Sequence, residues 1–482
     1  MKACKVLIGL VFAVVLVTAL GPPAPHAGEP RRPSGIILLI GDGMGINQIH
    51  SAAVYAREVL GRSLAMDSIL IRGSATTYAA DAEIPDSAAA ATALYSGHKV
   101  NSNSINVLPD GTEVSGIGHA AEQAGMSVGV ISTTRLTHAT PAAVYSRSDH
   151  RRREDFIAEQ LSEFAPAVAM GGGLANFIPQ DETGGRRRDS RNIVEEMRKK
   201  GYAFVRTKAE LDAVDLTSTD KLLGLFAASH MAYELDRRNE ADAASQPSPA
   251  EMTKAALEIL GRNPKGFFVM IEGGRIDHAC HTHDIKAAIY DTIAFDDAVK
   301  AALEFRQSRP DVLVVVTADH ETGGLGLGTG TEYALDITAL KPIKHSTEYL
   351  GRMIMKRPEN AEKILQAGGY HLSDRERALF WANSATALPS STPQLTGYGP
   401  KIDRYFFSWG QYALGSIASR RAKVGWTAFV HTAQPVITFA VGPGAEEFRG
   451  SFDNTDIALR MAKLLGLTMA KPASERKRRA VR

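Results

Sequence analysis

GFFVMIEGGRIDHACHTHD, residues 266–284, joins an apolar run to a dense cluster of imidazoles and carboxylates. GFFVMIE is apolar at consecutive positions rather than at alternate ones, the pattern of a strand buried on both faces. Three further runs share it: GIILLI (35–40), MSVGVIST (126–133) and DVLVVVT (311–317), each followed by a polar Gly- or His-bearing loop and then a helical pattern. Alternating strands and helices of this kind predict an α/β fold around a mainly parallel sheet. In such sheets ligands bind beyond the carboxyl ends of the strands, so those ends are where chemistry is expected.

The ends carry the right side chains. After the 266–272 strand, Glu272 is followed by Asp277 and His281, spaced i, i+4 on one helical face, with His278 and His283 nearby; three of the chain's 14 His fall within thirteen residues. GIILLI runs into GDGMG with Asp42. MSVGVIST runs into TRLTHATP, where His138 and Thr140 stand two apart; an extended loop would aim both to one side. DVLVVVT runs into ADHETGG with Asp319 and His320 adjacent, costly to bury unless paired or coordinated. GWTAFVHTAQP sets His431 just before another strand. Mixed His/Asp sets suit zinc, and carboxylate, hydroxyl and water suit magnesium. A site for several divalent ions with no reactive cysteine points to metal-assisted transfer to oxygen, most often at phosphorus. IPDSAAAATAL (84–94) supplies a hydroxyl, Ser87, at a helix start where backbone N–H groups favour anions; Asp86 and Ser87 are both of the ordinary cap-residue type there.

The remaining sequence sets bounds. A chain of 482 residues holds one large domain or two ordinary ones, and a net charge of +2 gives no reason to expect nucleic acid as partner. Lys2 and Lys5 precede fifteen apolar residues (6–20) and then GPPAPHAGEP, a pattern of signal peptide ending near Ala27. The run is short for a membrane span of about 20 residues, so an exported chain without a stable span is expected, with an uncleaved anchor as the alternative. Removing residues 1–27 leaves Cys280 alone and no internal disulfide. Segment 331–424 breaks the strand–helix rhythm and reads as an inserted cap, with SSTPQLTGYGP (390–400) as a loop. QPVITFAVGPG (434–444) resumes as strand and turn, and DNTDIALRMAKLLGL (453–467) as a closing amphipathic helix; residues 468–482 read as a basic, disordered tail.

Taken in order, GDGMG, PDSAAAATA, THATPAA, EGGRIDHACH, VTADHE and GWTAFVHT resemble the alkaline phosphatase family across nearly the whole chain. The resemblance implies a three-layer α/β sandwich over residues 34–467. It assigns Asp277, His281 and His431 to a first zinc, Asp42, Asp319 and His320 to a second, and Asp42, His138, Thr140 and Glu272 to magnesium. Ser87 would be the nucleophile in a double displacement on small phosphate monoesters. Arg151, thirteen residues past His138, would clamp the phosphate, although Arg152 and Arg153 adjoin it; Asp86 and His278 would assist. One branch of the family has Asp and Lys where this chain has His138 and His278; the resemblance is to the branch with His at both, which leaves the third metal open. Family members are commonly homodimers. The rival readings are a phosphodiesterase of the same superfamily and a non-catalytic periplasmic binder of phosphate or metal; a sulfatase is disfavoured because Cys280 is followed by His-Thr-His rather than by its Cys-x-Pro-x-Arg motif.

Overall fold

Burial on both faces is the first property of the central strands. The structure, a computed structural model, describes residues 32–385 and 410–469. Its strands are β1 (Gly35–Gly41), β2 (Ile71–Thr76), β3 (Ser127–Arg135), β4 (Val168–Gly172), β5 (Ala203–Val205), β6 (Leu222–Leu225), β7 (Phe267–Gly273), β8 (Val312–Thr317), β9 (Glu321–Thr322), β10 (Leu325–Leu327), β11 (Val424–Trp426), β12 (His431–Thr432), β13 (Val436–Val441) and β14 (Gly450–Asp453). Every residue of β1, β7 and β8 is buried, so helices must cover both faces of the sheet.

Ten strands form one sheet in the order β14-β2-β13-β8-β1-β7-β3-β4-β6-β5. All pairings are parallel except those of β13, which runs against both β2 and β8. Helices Ile46–Val59, Pro249–Leu260 and Ile285–Ser308 pack on one another and on β1, β3, β7 and β8, while Ser87–Ser96, Ile117–Gln123, Ala139–Ala142 and Thr455–Leu465 form a second packed set. The chain is thus a mixed α/β fold on a large, mostly parallel sheet. No helix among the described residues is long and apolar enough to cross a membrane.

Register brings the strand ends level. Ile40 of β1 stands opposite Glu272 of β7 and Thr317 of β8, and Ser132 of β3 opposite Glu272. Asp42, Glu272 and the Asp319–His320 pair therefore leave the sheet along one edge. The antiparallel pair β10–β11 brackets residues 328–423, where helices Thr347–Lys356, Ala361–Ala367, Asp374–Ala385 and Gln411–Ala422 lie. This excursion is tied down at Ser346, whose N–H and hydroxyl both donate to Asp236, at 2.8 and 2.6 Å, and at Thr347, whose N–H donates to Asp284 at 2.6 Å. The segments read as signal (1–27), loop (390–400) and, from residue 470, tail lie outside the described residues.

Candidate active site

Three groups of ligand-type side chains gather at that edge. Asp277, His281 and His431 form one, Asp42, Asp319 and His320 a second, and Asp42, His138 and Glu272 a third; in each, one ligand-type atom per residue lies within 4.8 Å of the others. Asp42 is shared by two groups, so the sites are contiguous. The GDGMG turn holds it there: Gly43 has φ +71, its N–H donates to Asp319 at 3.2 Å, and a Cβ on it would sit 2.8 Å from the Cα of Asp277. Only glycine fits so close an approach in that conformation.

The imidazoles are oriented from behind. His281 uses Nδ1 on the carbonyl of Phe429 (2.5 Å), and His431 uses Nδ1 on the carbonyl of Pro85 (2.7 Å). Their Nε2 atoms face the two oxygens of Asp277 at 3.3 and 3.5 Å. His320 has Nδ1 3.3 Å from the Thr322 hydroxyl, and its Nε2 lies 3.3 Å from Asp319 and 3.5 Å from Asp42. Fixing one ring nitrogen on a backbone carbonyl or hydroxyl while the other faces inward is the usual support of a metal-ligating histidine. His431 reaches the site because β12 pairs with β9, setting His431 opposite Thr322.

Ser87 begins the helix Ser87–Ser96, in which every residue is buried and whose cap, Asp86, accepts from the Ala89 N–H. Its Oγ lies 3.3 Å from Nε2 of His320. Arg151 donates to the other Asp86 oxygen at 2.8 Å and meets Nε2 of His138 at 2.9 Å. Arg152 and Arg153 are exposed, so Arg151 is the arginine of the run that reaches the site. His278 is buried with its Nδ1 2.8 Å from Arg275, and its ring centroid lies 5.7 Å from that of His138.

One geometric expectation is corrected. Residues 138–140 are not an extended loop: His138 caps a helical turn, Ala139–Ala142, and Thr140 lies inside it. Pro141 is tolerated because it stands in the first turn, where an N–H is not needed. The Thr140 hydroxyl is nevertheless buried without a partner.

The electrostatics call for cations. Both oxygens of Asp42, one each of Glu272 and Asp319, the Thr140 hydroxyl and Nδ1 of His138 are buried without hydrogen-bond partners. Buried unpartnered carboxylates are costly unless protonated or coordinated. Burial, reinforced by neighbouring carboxylates, pushes the carboxyls of Asp42 and Asp319 well above their ordinary range; burial pushes Glu272 up to about 7. Burial also opposes ionisation of Asp277, but His281 and His431 beside it hold its carboxyl well below the usual range. Burial drives His320 and His138 well below ordinary imidazole values and His431 to about 4, leaving them as neutral donors. The side chains present fit divalent cations.

Sequence reasoning passed over several residues here. Thr322 donates to Asp277 at 2.5 Å, and its place two residues past His320 was the only signal. His230, whose ring centroid is 4.3 Å from that of His278, comes from a segment with no motif. Arg275 was visible in GGRIDH, but its donation to Glu348 at 2.7 Å depends on a helix more than seventy residues away.

Comparison with known proteins identifies the family. A profile of the alkaline phosphatase family matches residues 34–467. Alkaline phosphatase 3 of Bacillus subtilis (strain 168) is 33% identical over 481 residues, spanning 95% of this chain and 96% of the relative. The crystal structure of Thermus thermophilus alkaline phosphatase is similar with a TM-score of 0.80 at 30% identity, over 94% of this chain and 97% of that one. A cold-active alkaline phosphatase from the psychrophile Shewanella sp. gives 0.75 at 30% identity, over 89% and 99%. The chain belongs to the alkaline phosphatase family and is a metal-dependent phosphomonoesterase.

Proposed function

We propose that this phosphatase works by double displacement through a phosphoserine on Ser87. The observation that carries the reading is the position of the Ser87 Oγ, buried at a helix start and 3.3 Å from His320 at the junction of the carboxylate groups. Asp277, His281 and His431 would hold one zinc, Asp42, Asp319 and His320 a second, and Asp42, His138, Thr140 and Glu272 a magnesium ion. Such ions, when bound, supply Lewis-acid charge for the phosphoryl oxygens and ease ionisation of the Ser87 hydroxyl.

The protein's own groups do the positioning. The Ser87 oxygen attacks phosphorus in line as the P–O bond to the leaving alcohol breaks, and the phosphoryl group moves to Oγ. Backbone N–H groups at the helix start lie on the side of the developing charge. Arg151 clamps two phosphoryl oxygens with its fork, and Asp86 holds that fork in place. His278 is assigned an outer contact to the phosphate. Water then attacks phosphorus from the face the alcohol left, returning the serine and releasing phosphate. Export and a homodimeric assembly belong to the same proposal, the first supported by the N-terminal charge and apolar pattern and the second by family resemblance.

Ser87→Ala tests the reading against a mere binder. Hydrolysis of p-nitrophenyl phosphate is expected to fall by at least roughly 10³-fold, as for loss of a catalytic nucleophile, with metal content per chain unchanged. Retained turnover would overturn the assignment of the nucleophile. Faster hydrolysis of bis(p-nitrophenyl) phosphate by the unaltered chain would favour the diesterase.

A further inference from the structure

Arg275 is a buried cation whose counter-charge comes from the excursion between β10 and β11. It opens the helix Arg275–His281, two positions before Asp277, and is 4% exposed. A guanidinium does not lose its charge in a protein, and a buried charge needs a partner. Among the described residues its ion pair is with Glu348, 2.7 Å from Nη2. The guanidinium carbon lies 3.7 Å from the centroid of the Tyr233 ring, and Nη1 meets Nδ1 of His278 at 2.8 Å. The guanidinium packs on the tyrosine while its edge spans from the glutamate to the imidazole.

That contact fixes the form of His278. Arginine has donors only, so Nδ1 of His278 accepts, and the neutral ring carries its proton on Nε2. An imidazole in this form offers one N–H, the group needed for a contact to a phosphate oxygen. The ring stands 5.7 Å from that of His138, whose Nε2 meets Arg151. Glu348 is held in its turn. It lies in the first turn of the helix Thr347–Lys356, whose cap, Ser346, accepts from the Tyr349 N–H at 3.0 Å. Ser346 and Thr347 are bonded to Asp236 and Asp284, so a braced turn delivers the carboxylate.

We infer that Glu348 is a positioning residue for the phosphate site, acting through Arg275 to hold His278 as an Nε2–H donor. The inference rests on the phosphomonoesterase reading and adds to it a residue from the inserted segment. The test is a double-mutant cycle of Glu348→Gln and His278→Ala, read by the Ki of inorganic phosphate against p-nitrophenyl phosphate hydrolysis, with metal content per chain measured throughout. Glu348 is 42% exposed, so E348Q is expected to weaken phosphate about fivefold, the size of one partly solvated charge contact. KM should rise with Ki, while kcat moves less than twofold and metal content stays the same. In the His278→Ala background E348Q should change Ki less than twofold, because residues acting as one unit are not additive. A fivefold effect that persists in that background overturns the inference. So does an effect below twofold in the unaltered background, an unchanged Ki in His278→Ala, or a loss of kcat or metal as large as the rise in Ki. If the unaltered chain does not hydrolyse the ester, the phosphomonoesterase reading is the one that fails. Glu348 is then judged by equilibrium binding of inorganic phosphate, where the same fivefold loss and the same non-additivity must appear.

Discussion

Thr322 shows how much of the site depends on a side chain that is no ligand candidate. Its hydroxyl donates to one oxygen of Asp277 and stands 3.3 Å from Nδ1 of His320, linking two groups of ligand-type residues. Valine keeps the shape and removes the donor. Outer supports of this kind typically contribute 10–100-fold in metal affinity, so Thr322→Val is expected to lose roughly that much, read by competition with a chromogenic zinc chelator. An affinity within twofold of the unaltered chain would mean that Asp277 is held by His281 and His431 alone.

Among the elements, the helix Ser87–Ser96 and the tie at Ser346 carry the clearest consequences. The helix packs against Ala139–Ala142 and Thr455–Leu465 with no exposed residue, and alanines let it approach so closely. Ala90→Leu overfills this contact; a cost of about 1–3 kcal/mol is expected in urea unfolding, together with reduced turnover because Ser87 lies one turn away. The Ser346 tie is a pH matter. Burial pushes the Asp236 carboxyl up to about 7, although Ser346 donates to it twice. Its folded value lies above its unfolded one, so its contribution to stability is fully present below about pH 4 and is lost as pH rises through about 7. Asp236→Asn cannot ionise. Across that window the unaltered chain is expected to lose up to roughly 4 kcal/mol relative to the variant; parallel stability curves from pH 4 to 8 would show that Asp236 ionises as readily in the folded chain as in the unfolded one.

Over the whole molecule, the dominant feature is a buried acidic centre at the edge of a well-packed sheet. Asp42, Glu272, Asp277 and Asp319 are all buried there, and Arg151 is the cation in contact with the cap residue beside them. Bound divalent ions would stabilise the folded chain by mass action, by about 2.7 kcal/mol for each ion present at a hundred times its Kd. Exhaustive chelation is therefore expected to abolish p-nitrophenyl phosphate hydrolysis and lower the melting temperature, and zinc with magnesium should restore both. Activity that survives chelation would contradict the metal assignments.

The sequence alone determined the central strands β1, β3, β7 and β8, because a run such as GIILLI is apolar at every position and has no stable place except between two covered faces. It also determined the types of ligand, since Asp277 and His281 fall on one helical face whatever the fold. Three things were decided only by tertiary structure: which nitrogen of His431 faces inward, which arginine of 151–153 reaches Asp86, and how His138 and Thr140 are aimed. His431 depends on a two-residue pairing with Thr322 across more than a hundred residues, and Arg151 on a loop whose N–H is bonded to Asn103. Periodicity and propensity are local, whereas these placements follow from packing between segments distant in the chain, where burial and the need to satisfy each polar group select one arrangement.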